Sequence, residues 1–351
     1  MLLHRIYDSI RFLQVPFNLR NPCNNGALTN LAAQRVIKLG FPYVSPSEVG
    51  ISLVQNLERD FVGYGKNPPK GKWPGISGLA IQFVVNYEEG AEQSVEKGDP
   101  MPEEYGEFPG IHTATRDLGL ESVFEYGSRV GIWRMLRLFE KYKIRTTFFA
   151  CGESLERNPE AAKAIVKGGH EICSHGYRWF DNFRMSEDEA REDIRKAIDA
   201  ITKTTGKRPV GWYCREPSVN IRKLLVEEGG FIYDSDIYND DVPYYVKVGS
   251  VNHLVVPYTP DCNDFHFYMG KFPNSDAFYH YLKDSFDILY EESHDSLKMM
   301  SIGVHLRISG RPGRIVALDR FFQYTTKFHD VWFATREDIA RWWLKEHPYT
   351  A

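Results

Sequence analysis

The sequence predicts an α/β protein on a parallel sheet, closed or partly closed into a (β/α) barrel, and three observations carry that expectation. From about residue 76 onward, short apolar segments rich in β-branched and aromatic residues alternate with longer segments of helical periodicity. The short segments lack the apolar/polar alternation of half-exposed strands, as expected of strands buried on both faces. Strand followed by helix, repeated about seven times, needs a crossover at each step, and crossovers join parallel strands. The order of elements also fits an open sheet, and in either form reactive groups belong at the carboxyl ends of the strands.

Taken in order, residues 1–50 stand apart. Asp8 is the sole acid before Glu48, against Arg5, Arg11, Arg20, Arg35 and Lys38, with apolar residues at Leu2, Leu3, Ile6, Ile10 and Leu13. Such a start reads either as an organelle-targeting presequence or as an extension packed on the domain surface. The Gly/Pro-rich stretch 63–78 is an irregular loop with no independent core before it, so residues 51–348 are read as a single domain. Strands are predicted at 79–86, 146–150, 170–174, 209–213, 231–235, 253–257, 299–305 and 331–334. Helices are predicted at about 125–143, 154–168, 186–205, 219–229, 275–293, 315–327 and 336–346. Ser186 with Glu189, and Thr335 with Asp338, are capping-box starts. Pairs such as Glu187/Arg191 and Glu192/Lys196 mark the outer face of the helix after Ser186. Trp133, Met135, Leu136 and Phe139 form the core stripe of helix 125–143.

Composition narrows the function classes. A formal net charge of -4 gives no electrostatic reason to bind nucleic acid or an anionic membrane. Cys23, Cys151, Cys173, Cys214 and Cys262 are scattered and never in C-x-x-C spacing, which argues against a disulfide framework and a thiolate zinc site. No apolar run approaches the roughly 20 residues of a membrane span. The expectation is a cytoplasmic protein acting on a small molecule, or an organellar one if residues 1–50 are a presequence.

The location rule then gathers the polar residues. Asn86, Tyr87, Glu88 and Glu89 end the first strand, His175 ends the third, Asp234 and Asp236 end the fifth, and His305 with Arg307 ends the strand at 299–305. Carboxylates and imidazoles at one rim supply what hydrolysis needs: a base for water, a partner for the developing oxyanion and an acid for the leaving nitrogen. Adjacent acids raise one another's pKa, which suits Glu88 or Glu89 to the base. His170, at the far end of its strand, reads as structural, and His253 and His266 are unplaced. Arg307, Arg311 and Arg314 read as an anion-binding loop or as surface charge.

The segments NYEEG, GGHEICSHGYRW, TGKRPVGWY, EEGGFIYDSDIYNDDVPYY and HLRISGRPGR followed by VWFATREDIARWW occur in this order over residues 57 to 348. Together they resemble the polysaccharide deacetylase superfamily, and within it the branch of metal-independent allantoinases, with cyclic imidases and chitin or peptidoglycan deacetylase-like proteins as near relatives. The resemblance implies a distorted (β/α) barrel and a homo-oligomer, with a tetramer as the expected state. The sugar deacetylases carry an Asp-Asp pair and a second histidine at i+4; here the acids are Glu88 and Glu89, and i+4 from His175 is Trp179. An indole cannot ligate a metal, so no metal is expected, with zinc held through Glu89 and His175 as the alternative. The Arg-x-Pro-aromatic motif is blurred to Arg215, Glu216, Pro217 and Ser218.

The expected activity is hydrolysis of a carbon–nitrogen amide bond, opening allantoin to allantoate in purine catabolism. Glu88, Glu89, His175 and His305 are the expected catalytic residues, and Asn86, Tyr87, Trp179, Arg215, Asp234 and Arg307 the expected substrate-binding ones. N-deacetylation of chitin or peptidoglycan, or cyclic imide hydrolysis, is the alternative, and a non-catalytic binding protein on the same scaffold the second alternative.

Overall fold

The computed structural model describes residues 59–108 and 113–349; the extension read in residues 1–50 lies outside the described residues. Strand β1 (Leu79–Tyr87) is buried along its whole length. The others are β2 (Thr147–Ala150), β3 (Glu171–Ser174), β4 (Gly211–Trp212), β5 (Tyr233–Asp234), β6 (Tyr244–Val248), β7 (Val251–Val255), β8 (Lys298–His305) and β9 (Val331–Phe333). They form a 9-stranded sheet in the order β6-β7-β5-β4-β3-β2-β1-β8, with β9 also on β1. The sheet is mostly parallel and curls into a half-barrel. β8 pairs with β1 from Leu79 to Asn86; β9 takes Leu79 to Ile81 and β2 takes Val84 to Tyr87, so these two share β1's other edge.

Each predicted strand is present within two residues of its expected ends. No strand is predicted over 244–248, yet β6 forms there and runs antiparallel to β7. Its sequence, YYVKV, is rich in aromatic and β-branched residues, and its side chains are half-buried or exposed, as at a sheet edge. A second signal is the turn at Gly249-Ser250, with Gly249 at φ 60°, which closes a hairpin.

The helices are α1 (Leu118–Tyr126), α2 (Ile132–Tyr142), α3 (Gly152–Arg157), α4 (Pro159–Lys167), α5 (Glu187–Thr205), α6 (Ile221–Glu228), α7 (Ser275–Glu292), α8 (Pro312–Thr325) and α9 (Arg336–Glu346). The predicted helix 154–168 is broken, because Pro159 cannot continue α3 and instead starts α4, capped by Asn158 on the Ala161 N–H. Both capping boxes form. Between α1 and α2 lies a π turn, Gly127–Gly131. A Cβ at Gly131 would stand 2.3 Å from the Leu306 carbonyl oxygen, and one at Gly127 would stand 2.4 Å from Glu89 Oε1. Only glycine lets this turn press against the ends of β1 and β8.

Alternate residues of β1 serve two cores. Leu79, Ile81, Phe83, Val85 and Tyr87 pack on the outer layer with Phe139, Phe321 and Phe322, while Ala80 and Val84 join Tyr233, Leu254 and Tyr258 inside the barrel. His170 is structural: it accepts the Thr146 N–H at 3.1 Å and packs on Phe139 and Phe148, and burial with Arg145 nearby pushes it down to about 4. The interior is plugged by the fully buried Arg336. Its guanidinium donates to Ser235 Oγ at 2.9 Å, Ser301 Oγ at 3.2 Å, the Pro257 carbonyl at 2.7 Å, Gln82 Oε1 and the Val256 carbonyl. No helix among the described residues is long and apolar enough to cross a membrane.

Arg336→Met keeps much of the side chain's length and removes every donor, leaving those buried acceptors unpaired. It is expected to cost about 3 kcal/mol or more, read as a lower urea midpoint at unchanged m. A shift within roughly 0.5 kcal/mol would refute the role of Arg336 as plug.

Candidate active site

Period 2 along β1 sends Gln82, Asn86 and then Glu88 to the interior, and turns Tyr87 and Glu89 toward the helices. β3 ends at Ser174, and the chain turns at Gly176 with φ 78°, where a Cβ would lie 2.8 Å from Asp193 Oδ2. Asp193 on α5 accepts the Tyr177 N–H at 3.1 Å and the Arg178 N–H at 3.4 Å, fixing the loop that carries His175. β8 ends in His305, and the N–H groups of Ile308 and Ser309 close back on the His305 carbonyl at 3.0 and 2.9 Å.

These three strand ends converge on Glu88. Its Oε1 stands 3.2 Å from His175 Nε2 and 3.7 Å from His305 Nε2, and its Oε2 stands 2.6 Å from Arg307 Nη1. His175 Nδ1 lies 3.2 Å from the Tyr213 carbonyl, which can only accept, so Nδ1 carries a proton. The contact between His175 Nε2 and Glu88 Oε1 therefore needs one proton shared between them. His305 Nδ1 lies 2.7 Å from Asp264 Oδ1, while Asp264 Oδ2 accepts the N–H groups of His305 and Ser309 at 2.9 and 3.1 Å. Both imidazoles are thus held from behind and aim Nε2 at Glu88.

Arg307 is fully buried, with its guanidinium 4.3 Å from the Phe124 ring and 5.1 Å from that of Trp179. Nη1 is engaged by Glu88 Oε2 and also stands 3.6 Å from Glu89 Oε1. Nε and Nη2 of Arg307 and Tyr268 Oη have no hydrogen-bond partner. Unpaired buried donors and acceptors cost about 1–3 kcal/mol each, and their gathering at one mouth marks where a polar ligand belongs.

Electrostatics separate the two acids. Burial opposes ionisation of Glu88, yet Arg307, His305 and His175 hold its carboxyl well below the usual range. Burial raises Glu89 to about 7, with Arg307 pulling down and the Glu88 charge pushing up. Glu89 is tied to backbone: Oε2 accepts the Glu88 N–H and Oε1 the Arg307 N–H, both at 3.1 Å. The expectation that the adjacent acids raise one another holds for Glu89 and fails for Glu88, because Arg307 outweighs the neighbour.

Among the other expected site residues, Asn86 donates to Tyr258 Oη at 3.1 Å and the Val304 carbonyl at 3.2 Å, inside the barrel. Trp179 flanks the mouth, with Arg215 over its ring at 4.2 Å. Arg215 is engaged by Glu103 at 2.8 Å and Asp181 at 2.7 Å. The assignments of two residues, Tyr87 and Asp234, are corrected. Tyr87 turns to the outer layer and bonds Ser128 at 2.9 Å, away from the mouth. Asp234, expected on substrate, is surrounded by Arg222 at 2.7 and 3.0 Å, His253 at 3.1 Å and the Asp236 N–H at 3.1 Å, which leaves its oxygens nothing to offer a ligand. Glu89, expected with Glu88 as the catalytic pair, binds two backbone N–H groups and stands 3.6 Å from Arg307 Nη1, so Glu88 is the better placed of the two to meet a ligand. Asp264, Tyr268 and Asp193 were not expected; they lie in a loop, a turn and a helix face where neither periodicity nor strand-end position points to them.

The side chains do not form the donor set that the zinc alternative through Glu89 and His175 requires. Glu88, not Glu89, stands beside His175, position 179 is an indole, and Arg307 already sets a cation 2.6 Å from Glu88. Among the described residues no group of three or more His, Cys, Asp or Glu is arranged to hold a metal ion.

The sequence profile of the polysaccharide deacetylase family matches residues 115–227. A protein of Schizosaccharomyces pombe described as a putative polysaccharide deacetylase is 40% identical over 316 residues, covering 84% of this chain and 99% of that one. Among solved structures, a PuuE allantoinase is similar at TM-score 0.80 and 46% identity, covering 83% of this chain and 99% of its own. A probable polysaccharide deacetylase from Pseudomonas aeruginosa PAO1 is similar at TM-score 0.80 and 48% identity, with the same coverage of 83% and 99%.

Glu89 at about 7, Asp193 raised by burial to about 6 and Asp236 raised by burial and the Asp234 charge to about 8 have the same sign. Each carboxyl binds its proton more tightly folded than unfolded, so its contribution is complete below the ordinary carboxyl range and lost as pH rises through these values. Glu88 and Asp234, both depressed, lose theirs as pH falls through the acid range. The urea midpoint is therefore expected to peak near about pH 5 and fall toward pH 8, with a shallower fall in Glu89→Gln. A midpoint that rises from pH 5 to 8 would contradict this assignment.

Proposed function

The chain belongs to the polysaccharide deacetylase family, and within it we propose that this hydrolase opens the five-membered hydantoin ring of allantoin at a ring amide, giving allantoate. The observation that carries the reading is Glu88 set among two back-bonded imidazoles and a buried guanidinium whose Nε and Nη2 lack partners. Similarity to an allantoinase over nearly that protein's whole length supports a cyclic amide as substrate.

In this reading the ring carbonyl oxygen takes up the free donors of Arg307. That draws the guanidinium's charge away from Glu88 and raises its basicity. Glu88 removes a proton from water as the water oxygen bonds to the carbonyl carbon. The oxyanion faces Arg307, with the proton shared by His175 nearby. The proton on Glu88 passes to His305 Nε2, where Asp264 stabilises the transient imidazolium. It then goes to the ring nitrogen as the carbon–nitrogen bond breaks. Water's hydroxyl ends on carbon and its proton on nitrogen, and every protein group regains its starting state. The cation that this chemistry needs is supplied by Arg307, so turnover requires no added divalent ion.

The second reading applies the same steps to an acetamide on chitin or peptidoglycan, and the descriptions of the S. pombe and P. aeruginosa relatives favour it. Purified protein assayed on allantoin beside N-acetylglucosamine oligomers, with and without a strong chelator, separates the two. Chelator-resistant formation of allantoate is expected; chelator-sensitive acetate release would overturn the proposal. Glu88→Gln and Asp264→Asn are each expected to lower kcat by roughly 10²–10⁴ with the fold intact by circular dichroism. Activity within about threefold of the parent in Glu88→Gln would remove Glu88 as the base.

A further inference from the structure

The groups around Glu88 are almost sealed: Glu88 is 1% exposed, His175 2%, His305 5% and Arg307 0%. Part of the cover comes from the loop between β1 and α1. Glu103 pairs with Arg215 at 2.8 Å, and Arg215 lies over Trp179 at 4.2 Å, on the indole that also faces Arg307. Tyr105 lies 5.0 Å from the Arg215 guanidinium and 5.6 Å from the Phe265 ring, which is itself 5.6 Å from His305. Glu107 receives both terminal nitrogens of Arg314 at 2.9 and 2.7 Å. Residues 103 to 107 therefore reach the rim of β4, the turn before α7 and the start of α8, the first two each one side chain away from the reactive groups.

The two ends of this segment are held unequally. Glu103 is buried, its N–H donates to the Gln93 carbonyl at 3.1 Å, and its Oε1 accepts the N–H groups of Glu104 and Tyr105. Tyr105 is 47% exposed, and the bidentate Glu107–Arg314 pair is more solvated than the Glu103–Arg215 pair, so that end is the less firmly held. A segment fixed at one end and latched less firmly at the other opens at the latch.

We infer that Glu103 to Glu107 is a strap across the mouth that opens at its Tyr105–Glu107 end and restricts the site to compact amides, excluding polymer chains. The inference rests on reading the Glu88 cluster as the reactive site. A small heterocycle passes beneath and is enclosed when the latch re-forms; a glycan chain needs a groove that stays open along its length. Closure also removes water from Arg307, which strengthens its hold on a carbonyl oxygen.

The test is the full-length Tyr105→Gly/Glu107→Ala variant beside the parent, with two readouts. The first is diethylpyrocarbonate labelling of histidines by mass spectrometry, with the solvent-facing His280 and His294 as internal standards. His175 and His305 are expected to label slowly in the parent and roughly tenfold faster in the variant. The second is kcat/KM on allantoin against a hydantoin bearing a bulky ring substituent; the ratio is expected to shift toward the bulky substrate by about tenfold. Unchanged labelling and an unchanged ratio would overturn the strap. If neither protein hydrolyses any amide, the functional reading fails, while the labelling rates still decide the strap. Should the double variant not fold, Arg314→Ala releases the same latch from the other side and is read in the same way.

Discussion

The mouth of the barrel depends on the ion pair between Glu88 and Arg307. Taking two charges out of water costs several kcal/mol per ion, and their attraction offsets this only at short range with the geometry fixed. The fixing comes from the sheet. β1 and β8 pair in parallel with Asn86 opposite His305, and the turn that follows His305 immediately brings Arg307 to Glu88. Glu89 then binds the backbone N–H of both partners, clamping the two strand ends together. The glycines of the π turn allow the helical layer close enough to seal the clamp. Register and seal are backbone properties, and the Glu89 carboxylate ties the backbone of both partners, so the pair is placed mainly by the sheet and this clamp.

That placement leaves a deliberate imbalance. Glu88 has more positive neighbours than it can use, and Arg307 has donors with nothing to bind. A carboxylate held so firmly ionised is a poor base, and a buried guanidinium with Nε and Nη2 unpaired is destabilised. In the proposed mechanism one event relieves both conditions: an oxygen that takes up those donors weakens the hold of Arg307 on Glu88 and returns its basicity. Under that proposal, recognition of substrate and activation of water are a single electrostatic change. The plug at Arg336 contrasts with it, since that guanidinium has acceptors all around and serves only to fill and fix the barrel.

Much of the fold was legible because buried parallel strands announce themselves as short apolar runs, and their carboxyl ends named Glu88, His175, His305 and Arg307 together. What separates Glu88 from Glu89 was also in the sequence. Counting in twos from Ala80 through Gln82, Val84 and Asn86 reaches Glu88, and the same count puts Tyr87 and Glu89 on the other face. Applied strictly, it would have removed Tyr87 from the substrate-binding set. Asp234 could not be corrected that way, because its partner Arg222 comes from α6 and His253 from β7, a convergence only the folded chain displays. Asp264 and the strap residues Glu103, Tyr105 and Glu107 sit in irregular backbone, where position along the chain carries no information about direction. β6 was legible as well, since YYVKV is aromatic and β-branched and ends at a Gly-Ser turn.

Trp179 and Arg307 are best understood as one choice. A histidine at 179 would add a ligand at the mouth but would place a second titratable cation beside Arg307. A divalent ion bound there would stand against a guanidinium already 2.6 Å from the carboxylate. The indole avoids both conflicts. Its face lies 4.2 Å from Arg215 and 5.1 Å from Arg307, so it shields two guanidinium planes from each other while attracting each. Phe124 covers another side of Arg307 at 4.3 Å. The aromatic walls make it affordable to keep that cation dry, and a dry cation is the one that acts strongly on an oxygen. Under the proposed reaction, Arg307 would serve as a covalently tethered cation, and the indole at 179 is the surface on which it rests.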